Sequence, residues 1–258
     1  VDGTDKEINA AIRSILSGKW NDGKESHKFE QAVAYYNQRR CGVLCNSGSS
    51  ANLLALSATL STKHGERRMR PGQEVITSLV GFPTTLNAIL QCGLIPVFVD
   101  CEIPTYNANP CLVEEAVGKN TGAILLAHTL GNPVSISYIE DNAIGGSEIW
   151  SIYDCCDSLG STYTGTFEGL PIGSYGSMST FSFYPAHQIT SGEGGMVLTD
   201  SPMLNSVLRS FRDWGRECWC KPGEDNTCGK RFAHEYESLP DGYDHKYVYS
   251  EIGYNLKA

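Results

Sequence analysis

The amino-acid sequence predicts a single α/β domain, residues 1–258, whose mostly parallel sheet is flanked by helices. Its 258 residues are enough for one large domain of this class. Short apolar runs typical of buried strands alternate with longer runs that have a helical apolar period. Because parallel strands are joined through helices that cover the sheet, this alternation predicts a doubly wound sheet. The functional site is expected at the carboxyl ends of its strands.

The predicted elements follow one another in a regular order. Residues 1–40 form an N-terminal helical segment, in which Ile8, Ile12 and Ile15 share one apolar face. Strands are predicted at 41–45, 74–80, 96–100, 122–128, 149–154 and 196–199, and helices at 51–60, 83–92 and 112–117. The chain stops in a stretch that resembles the approach to another helix.

Charge and hydropathy exclude several classes of function. The chain has 20 Lys and Arg against 29 Asp and Glu, a net charge of -9. Nucleic-acid binding is not expected, because phosphate backbones attract basic surfaces. No apolar run approaches the roughly 18–20 residues of a transmembrane helix, and the first residues lack the pattern of a signal peptide. We therefore expect a soluble, cytoplasmic protein with no membrane partner.

Cysteine is frequent, with 10 residues, and in the cytoplasm these thiols are expected to be reduced. Clustered cysteines then indicate a metal site or catalysis. Half of them are scattered among apolar residues and are interpreted as small buried hydrophobic side chains: Cys41, Cys45, Cys92, Cys101 and Cys111.

Two motifs at predicted strand ends are typical of a cofactor site. Asn-Ser-Gly-Ser-Ser at 46–50 lies between a strand and a helix, where backbone N–H groups and hydroxyls can hold a phosphate. Ser and Gly also serve as ordinary helix caps. Asp154 ends an apolar strand, where a carboxylate can hold a protonated pyridine nitrogen, or can cap a following helix.

A third segment, 179–195, combines a strand-like run with Pro185, His187 and a glycine-rich turn. With it, the motifs resemble the sugar aminotransferase/dehydratase family, which has the aspartate aminotransferase fold (fold type I). The resemblance rests on Gly-Ser-Ser-Ala-Asn-Leu-Leu-Ala-Leu at 48–56, Gly-Phe-Pro-Thr-Thr at 81–85, Asp154, and Ser-Phe-Tyr-Pro at 182–185.

The resemblance implies a site for pyridoxal or pyridoxamine phosphate (PLP or PMP). It implies that Asp154 holds the pyridine nitrogen, with Asp157 in the same site, and that Phe82 stacks on the ring. The phosphate is expected to contact Gly48, Ser49 and Ser182. The turn Gly-Tyr-Asn at 253–255 implies that Asn255 reaches a phosphate in the neighbouring subunit of a homodimer. Family members also have a smaller C-terminal domain, so this chain is expected to be truncated.

One departure from the family pattern indicates the reaction. Aminotransferases bind the cofactor through a Lys just after the Ser-Phe segment, but no Lys occurs between Lys119 and Lys221, and His187 takes that place. Imidazole cannot replace the amine covalently, although it moves protons near neutral pH. The sequence therefore resembles the PMP-dependent sugar 3-dehydrases, with His187 as the catalytic base. A degenerate, inactive relative is the alternative, and an ordinary aminotransferase is the least favoured.

The remaining cysteines bear on the type of dehydrase. In the segment 212–245, one residue separates Cys218 from Cys220 and seven (221–227) separate Cys220 from Cys228. With Cys155 or Cys156 as a fourth thiolate, this set is typical of iron–sulfur clusters, while zinc or simple packing are the alternatives. The resemblance favours Cys156 and implies a [2Fe–2S] cluster.

The cluster-bearing branch implies dehydration at C3 of a CDP-linked 4-keto-6-deoxyhexose in 3,6-dideoxysugar biosynthesis, which serves bacterial surface polysaccharides such as the lipopolysaccharide O-antigen. Electrons are expected from an NAD(P)H-dependent flavin and iron–sulfur reductase. The alternatives are the cluster-free GDP-4-keto-6-deoxymannose 3-dehydratase and a non-catalytic relative that binds a nucleotide sugar.

Overall fold

The computed structural model describes residues 4–218, 220 and 226–257. Within these residues, the strands belong to one seven-stranded sheet. They are β1 (Cys41–Cys45), β2 (Glu74–Ser78), β3 (Ile95–Val99), β4 (Thr121–Ala127), β5 (Trp150–Asp154), β6 (Met178–Ser182) and β7 (Gly195–Thr199).

The sheet is mostly parallel, as predicted. Its strand order is β1-β7-β6-β5-β4-β2-β3, and the pairs β2–β3, β2–β4, β4–β5 and β5–β6 are parallel. β7 runs antiparallel to both of its neighbours, β6 and β1. Every strand except β7 therefore ends at the same edge of the sheet, which is where open α/β sheets bind ligands.

Helices precede β1, follow β7 and occupy each connection from β1 to β5. They are α1 (Asp5–Leu16), α2 (Lys24–Tyr36), α3 (Gly48–Thr59), α4 (Pro83–Gln91), α5 (Pro110–Ala116), α6 (Ile136–Tyr138), which continues into a π-helical turn at Ile139–Ile144, and α7 (Pro202–Arg212). Short 3-10 turns lie at Thr62–Arg67, Thr129–Gly131, Gly165–Phe167 and His245–Tyr247.

Two apolar cores cover the two faces of the sheet, as expected for a doubly wound fold. Alternate residues of each strand point to opposite faces: Ile124 of β4 belongs to one core and Leu125 to the other. The core that contains Leu125 also contains the buried face of α3, represented by Leu54. α3 is therefore fixed along most of its length.

Several boundaries differ from the predicted ones. α3 begins at Gly48 instead of 51, because the Ser47 side chain accepts a hydrogen bond from the Ser50 N–H and caps the helix there. β2 ends at Ser78 instead of 80. The apolar face predicted in α1 exists, but no residue of α1 is buried.

The scattered cysteines were interpreted as buried, and this is confirmed for Cys45 and Cys92. It is wrong for Cys111, which is exposed, and Cys41 and Cys101 are partly exposed. Cys111 lies in the first turn of α5, where its thiol contacts the Tyr138 hydroxyl at the surface. Among the described residues, no helix is long and apolar enough to cross a bilayer.

Candidate active site

A cavity of about 460 Å³ opens at the carboxyl edge of the sheet, and we call it the strand-end cavity. It holds all of the predicted catalytic and cofactor-binding residues except Asn255, together with Cys156. Its lining comprises Gly48, Ser49, Asn52, Val80, Gly81, Phe82, Thr84, Thr85, Tyr106, Ala127, Thr129, Leu130, Asp154, Cys156, Asp157, Ser182 and His187.

Asp154 ends β5 and has a buried carboxylate. Its Oδ2 accepts hydrogen bonds from Asn52 Nδ2 at 2.7 Å and from Thr85 Oγ1 at 3.1 Å. Its Oδ1 accepts one from the Cys156 N–H at 3.1 Å. The alternative role as a helix cap is wrong, since turns follow Asp154 in this described stretch. Its three hydrogen-bond donors are neutral, so the carboxylate can still bind a cationic ligand group.

The first turn of α3 packs tightly against the end of β6. A Cβ added to Gly48 would lie 2.6 Å from Ser182 Cβ and 2.9 Å from Cys156 Sγ. Only glycine therefore allows this approach without a shift of the neighbouring atoms. The motif at 46–50, predicted to precede the helix, is thus partly its first turn.

This end of α3 is suited to an anion. N–H groups in the first turn of a helix have no intrahelical acceptor, and they carry the positive end of the helix dipole. The Ser49 hydroxyl, which donates a hydrogen bond to Thr84 Oγ1 at 2.9 Å, and the Ser182 side chain both line the same cavity. The N–H groups and the Ser182 hydroxyl provide donors of the kind that phosphate groups bind, and the Ser49 hydroxyl, which donates to Thr84 here, can rotate to donate to a bound anion.

His187 lies in the turn after β6, and a carboxylate fixes its ring. Its Nδ1 is 3.2 Å from Asp157 Oδ1, and its side chain is 20% exposed. Asp157 is held in turn by Gln188, whose Nε2 donates a hydrogen bond to the Asp157 carbonyl oxygen at 2.7 Å. Since Nδ1 faces Asp157, Nε2 is the ring nitrogen left for proton transfer.

Large apolar side chains form the rim of the strand-end cavity. Phe82 caps the start of α4 and is 69% exposed, while Tyr106 and Leu130 also line the cavity and are exposed. An aromatic ring at this position can cover a planar ligand.

Asn255 lies outside the strand-end cavity. It is exposed and forms an isolated β-bridge with Asp213. The carbonyl oxygen of the next residue, Leu256, accepts a hydrogen bond from Asn46 N–H, directly before the first turn of α3. The predicted role of Asn255 in a neighbouring subunit stays a prediction.

The four predicted metal ligands divide between two places. Cys156 lines the strand-end cavity, and burial raises the pKa of its thiol well above the usual range, with the nearby Asp154 adding to the shift. Cys218 and Cys220 line a second cavity of about 550 Å³, which also contains Glu30 and Arg209. The described contacts do not join Cys156 to the other three cysteines.

The thiols of the segment 212–245 gather around one imidazole. Ligand atoms of Cys218, Cys220 and His245 lie within 4.8 Å of one another. Cys228 Sγ is 3.4 Å from His245 Nε2. Burial acts to raise the pKa of Cys220, but hydrogen bonds from Thr227 and the neighbouring thiols lower it to about 7. The predicted part of this loop at 219 and 221–225 lies outside the described residues.

The comparison with protein families decides the affiliation of this chain. Residues 2–257 match the model of the "DegT/DnrJ/EryC1/StrS aminotransferase family". The chain belongs to this family. The predicted family and the predicted fold type are thereby confirmed.

Two curated members of the DegT/DnrJ/EryC1/StrS family share about half of their aligned residues with this chain. The lipopolysaccharide biosynthesis protein RfbH of Salmonella typhimurium is 51% identical over 252 residues, which are 98% of this chain and 56% of the relative. The dTDP-4-dehydro-2,6-dideoxy-D-glucose 3-dehydratase of Saccharopolyspora spinosa is 52% identical over 249 residues, 96% of this chain and 53% of the relative. The chain spans about half the length of these relatives.

GDP-4-keto-6-deoxy-D-mannose 3-dehydratases are similar in both sequence and structure. The enzyme of Escherichia coli O55:H7 is 34% identical over 230 residues, 88% of this chain and 57% of the relative. The structure of the E. coli enzyme with bound hydrated PLP superposes with a TM-score of 0.82 at 30% identity, and covers 99% of this chain and 62% of that chain.

The residues present fit the cofactor that the family binds. Among the described residues, the donors to the buried Asp154 carboxylate are neutral, and Gly48 allows the first turn of α3, which carries hydroxyl groups, to lie close against Ser182. The exposed ring of Phe82 lies on the same cavity. The pyridine nitrogen, the phosphate and the ring of the cofactor would therefore each find a suitable partner: Asp154, the first turn of α3 and Phe82.

Sequence reasoning missed three polar residues of this site. Asn52, Thr85 and Thr180 form a hydrogen-bonded chain with Asp154, and the amide of Asn52 links Thr180 to the carboxylate. Asn52 and Thr85 stand inside the quoted family motifs, but only their position in the fold reveals the partner. His245, 17 residues after Cys228, was missed for the same reason.

Proposed function

We propose that this chain carries the cofactor-binding and proton-transfer residues of a PMP-dependent nucleotide-sugar 3-dehydratase. The observation that carries the proposal is His187, which lines the strand-end cavity with Asp154 in the place where an aminotransferase needs a Lys. Among the described residues, no Lys lines this cavity. The similarity to curated sugar 3-dehydratases supports the same reaction class.

Bound PMP would supply an amine for the ketone of the sugar and a protonated pyridine ring that withdraws electrons. Asp154 would hold the ring N–H, and Phe82 would cover the ring. The first turn of α3, with the hydroxyls of Ser49 and Ser182, would hold the phosphate. These roles require no movement of the sheet, since the residues stand at its strand ends or on the adjoining helices.

His187 would accept a proton from the C4′ carbon of the cofactor through Nε2. Asp157 would stabilise the imidazolium that forms and keep Nε2 directed away from itself, because its carboxylate contacts Nδ1. The rim residues, including Phe82 and Leu130, would limit access of water to the base.

The substitution His187→Asn tests this role, since it removes the base but keeps a polar side chain of similar reach. We expect exchange of the C4′ hydrogen with solvent, followed by NMR, to fall by about 10²–10⁴-fold, the usual contribution of a positioned base. PMP binding should be retained. Asp154→Asn is the comparison variant, because loss of the partner of the ring nitrogen should weaken PMP binding as well as slow the exchange. Exchange at the wild-type rate in His187→Asn would remove His187 from this role.

For the substrate we propose a nucleotide-linked 4-keto deoxysugar that loses its C3 hydroxyl. The cluster-free GDP-4-keto-6-deoxymannose 3-dehydratase is better supported than the cluster-bearing CDP-sugar enzyme. Enzymes of the GDP-sugar type match this chain in both sequence and structure. Another relative is named for a dTDP-linked sugar, and none of those reported above is named for a CDP-linked one. Turnover with GDP-, dTDP- and CDP-linked 4-keto sugars would identify the nucleotide.

One observation favours the cluster-bearing branch as a second candidate. Cys218 and Cys220 lie together with His245, and Cys228 contacts the same imidazole. This donor set suits a [2Fe–2S] cluster or zinc, with either Cys156 or His245 as the fourth ligand. A reductase that feeds electrons to the cluster, and the CDP-linked sugar, belong to this candidate.

Metal analysis and EPR of the anaerobically purified protein test the second candidate. A [2Fe–2S] cluster would give a visible band that bleaches with dithionite and an S = 1/2 signal in the reduced state. Cys220→Ser should lose both, while Cys156→Ser and His245→Gln identify the fourth ligand by which of them loses the signal. Stoichiometric zinc, or no metal after reconstitution with iron and sulfide, would exclude the cluster and leave the cluster-free reaction.

We also propose that the functional unit is a homodimer, with Asn255 directed to the phosphate in the second copy. The exposed apolar rim of the strand-end cavity, with Phe82, Tyr106 and Leu130, supports a covering partner at this edge.

A further inference from the structure

A chain of buried polar groups extends from β6 to the carboxylate of the strand-end cavity. The Thr180 hydroxyl donates to Asn52 Oδ1 at 2.6 Å, and Asn52 Nδ2 donates to Asp154 Oδ2 at 2.7 Å. Thr85 donates to the same carboxylate oxygen at 3.1 Å. Thr180 and Asn52 are 0% and 2% exposed, so water cannot replace these partners. The amide connects a core strand to the functional carboxylate.

The orientation of the amide is fixed by its two partners. If the amide of Asn52 were reversed, its oxygen would face the Asp154 carboxylate, and two acceptors would meet without a proton between them. In the observed orientation, the hydroxyl of Thr180 donates and the carboxylate accepts. The carboxylate, which can only accept, therefore selects the orientation in which Asn52 presents a donor to Asp154, and the Thr180 hydroxyl stabilises that orientation by donating to Asn52 Oδ1.

The carboxylate has about four acceptor positions, two on each oxygen. Asn52 and Thr85 occupy both positions on Oδ2. The Cys156 N–H occupies one position on Oδ1. Counting the donors of the described residues, the position that remains for a ligand is therefore on Oδ1, and the rotation of the carboxylate decides where that position points.

We propose that Asn52 is a positioning residue that locks the Asp154 carboxylate through Oδ2 and so offers Oδ1 to the protonated ring nitrogen of the cofactor. Thr180 acts through Asn52, because the hydrogen bond from its hydroxyl holds the Asn52 side chain in place. This inference rests on the proposed function, because it needs a cofactor whose ring nitrogen binds Asp154. Asn52 does not itself contact the ring nitrogen in this scheme.

Near-isosteric substitutions separate positioning from simple packing. Asn52→Leu keeps the branching at Cγ but removes the donor to Asp154, and Thr180→Val replaces the hydroxyl that donates to the amide by a methyl group. Thr180→Ser keeps that hydroxyl and should restore the wild-type behaviour. Ser57→Ala is the matched control, since Ser57 is a buried polar residue of the same helix that bonds to Tyr254 and not to Asp154.

Two measurements on the purified protein give the outcome. One is the affinity for PMP, and the other is the pH at which the ring nitrogen of bound ¹⁵N-labelled PMP loses its proton. For Asn52→Leu we expect about tenfold weaker binding, the loss of one hydrogen bond to a charged group, and a fall of roughly one unit in that pH midpoint. Thr180→Val should shift both in the same direction by less.

A purely structural role would change the melting temperature of the cofactor-free protein in all three apolar variants without moving the ring-nitrogen midpoint. If the wild type binds PMP, that result would overturn the positioning role. Equal effects of Thr180→Val and Thr180→Ser on PMP affinity and on the ring-nitrogen midpoint would overturn it too. A wild-type protein that binds no PMP would overturn the proposed function as well.

Discussion

The strand-end cavity and the segment 212–245 differ in what holds their functional side chains. Asp154 and Ser182 end central strands, and their backbones are paired in the sheet or bonded to it. In the described part of 212–245, the chain after α7 runs through turns and isolated bridges, such as Arg216 with Tyr249. An ion pair between Arg231 and Asp244 adds one cross-link.

This difference predicts two modes of ligand binding. The strand-end cavity keeps its geometry without a ligand, because the sheet determines it. The cysteine sites are held by side-chain contacts and by backbone hydrogen bonds between loops, such as that from His245 N–H to the Arg231 carbonyl oxygen, so binding of a metal would contribute to the order of the segment itself. A preformed cofactor site and a metal-dependent loop should therefore respond differently to substitution.

The largest effect is expected for Gly48→Ala, which tests whether the cavity is preformed. The added Cβ would lie 2.6 Å from Ser182 Cβ and would force the first turn of α3 away from β6. Overpacking of this kind costs about 1–3 kcal/mol. We expect that loss in the free energy of unfolding, measured in urea, and a large loss of PMP affinity, because the phosphate donors move with the turn.

Gly81→Ala is the control, since it lines the same cavity and an added Cβ meets no atom within 4 Å. It should change the free energy of unfolding by less than about 0.5 kcal/mol, as surface substitutions usually do. If Gly48→Ala and Gly81→Ala bind PMP equally well, the contact between α3 and β6 does not shape the site, and the contrast between the two regions disappears.

The strand-end cavity could be predicted largely from the sequence, because apolar strands locate Asp154 and the Gly-Ser-Ser turn with little ambiguity. Parallel strands bring their carboxyl ends to one edge, so residues more than 100 positions apart meet there. β7 lies between β1 and β6 and runs antiparallel to both. β1 is therefore parallel to β6, and its carboxyl end still lies at this edge.

The side-chain contacts of Asn52 and of the cysteines could not be predicted, because the periodicity of apolar residues specifies neither the rotation of a helix nor the path of a loop. Asn52 stands on a helix rich in Leu and Ala, and only its rotation about the helix axis shows that it faces Asp154. The distance between Cys156 and the other cysteines depends on the path of the loop after α7. The spacing of three cysteines, with Cys155 or Cys156 as a fourth thiolate, was typical of an iron–sulfur cluster, and the resemblance favoured Cys156. In the described residues, the imidazole of His245 lies near the other three thiols.

A smaller effect is expected from His128, a buried residue directly after β4 whose neighbours Ala127 and Thr129 line the strand-end cavity. Its Nδ1 accepts a hydrogen bond from Val134 N–H at 3.1 Å, and its Nε2 is 3.3 Å from the Tyr163 hydroxyl. Burial lowers the pKa of His128 to about 3 from its usual 6.5. A proton on Nδ1 would break the bond to Val134, so the fold holds this ring in its neutral form.

The sign of the pH dependence follows from this shift. The unfolded chain binds a proton at His128 below about pH 6.5, whereas the folded protein does not until about pH 3, so stability is lost as the pH falls between these values. Between pH 7.5 and pH 5.0, His128 should contribute a loss of about 2 kcal/mol in the free energy of unfolding.

Urea unfolding of His128→Gln at the two pH values tests this contribution. The loss in free energy of unfolding should be smaller than in the wild type by about 2 kcal/mol. His64→Gln, which removes a half-buried ring, should differ from the wild type by a smaller amount. Equal slopes for the wild type and His128→Gln would mean that His128 is free to titrate in the folded protein.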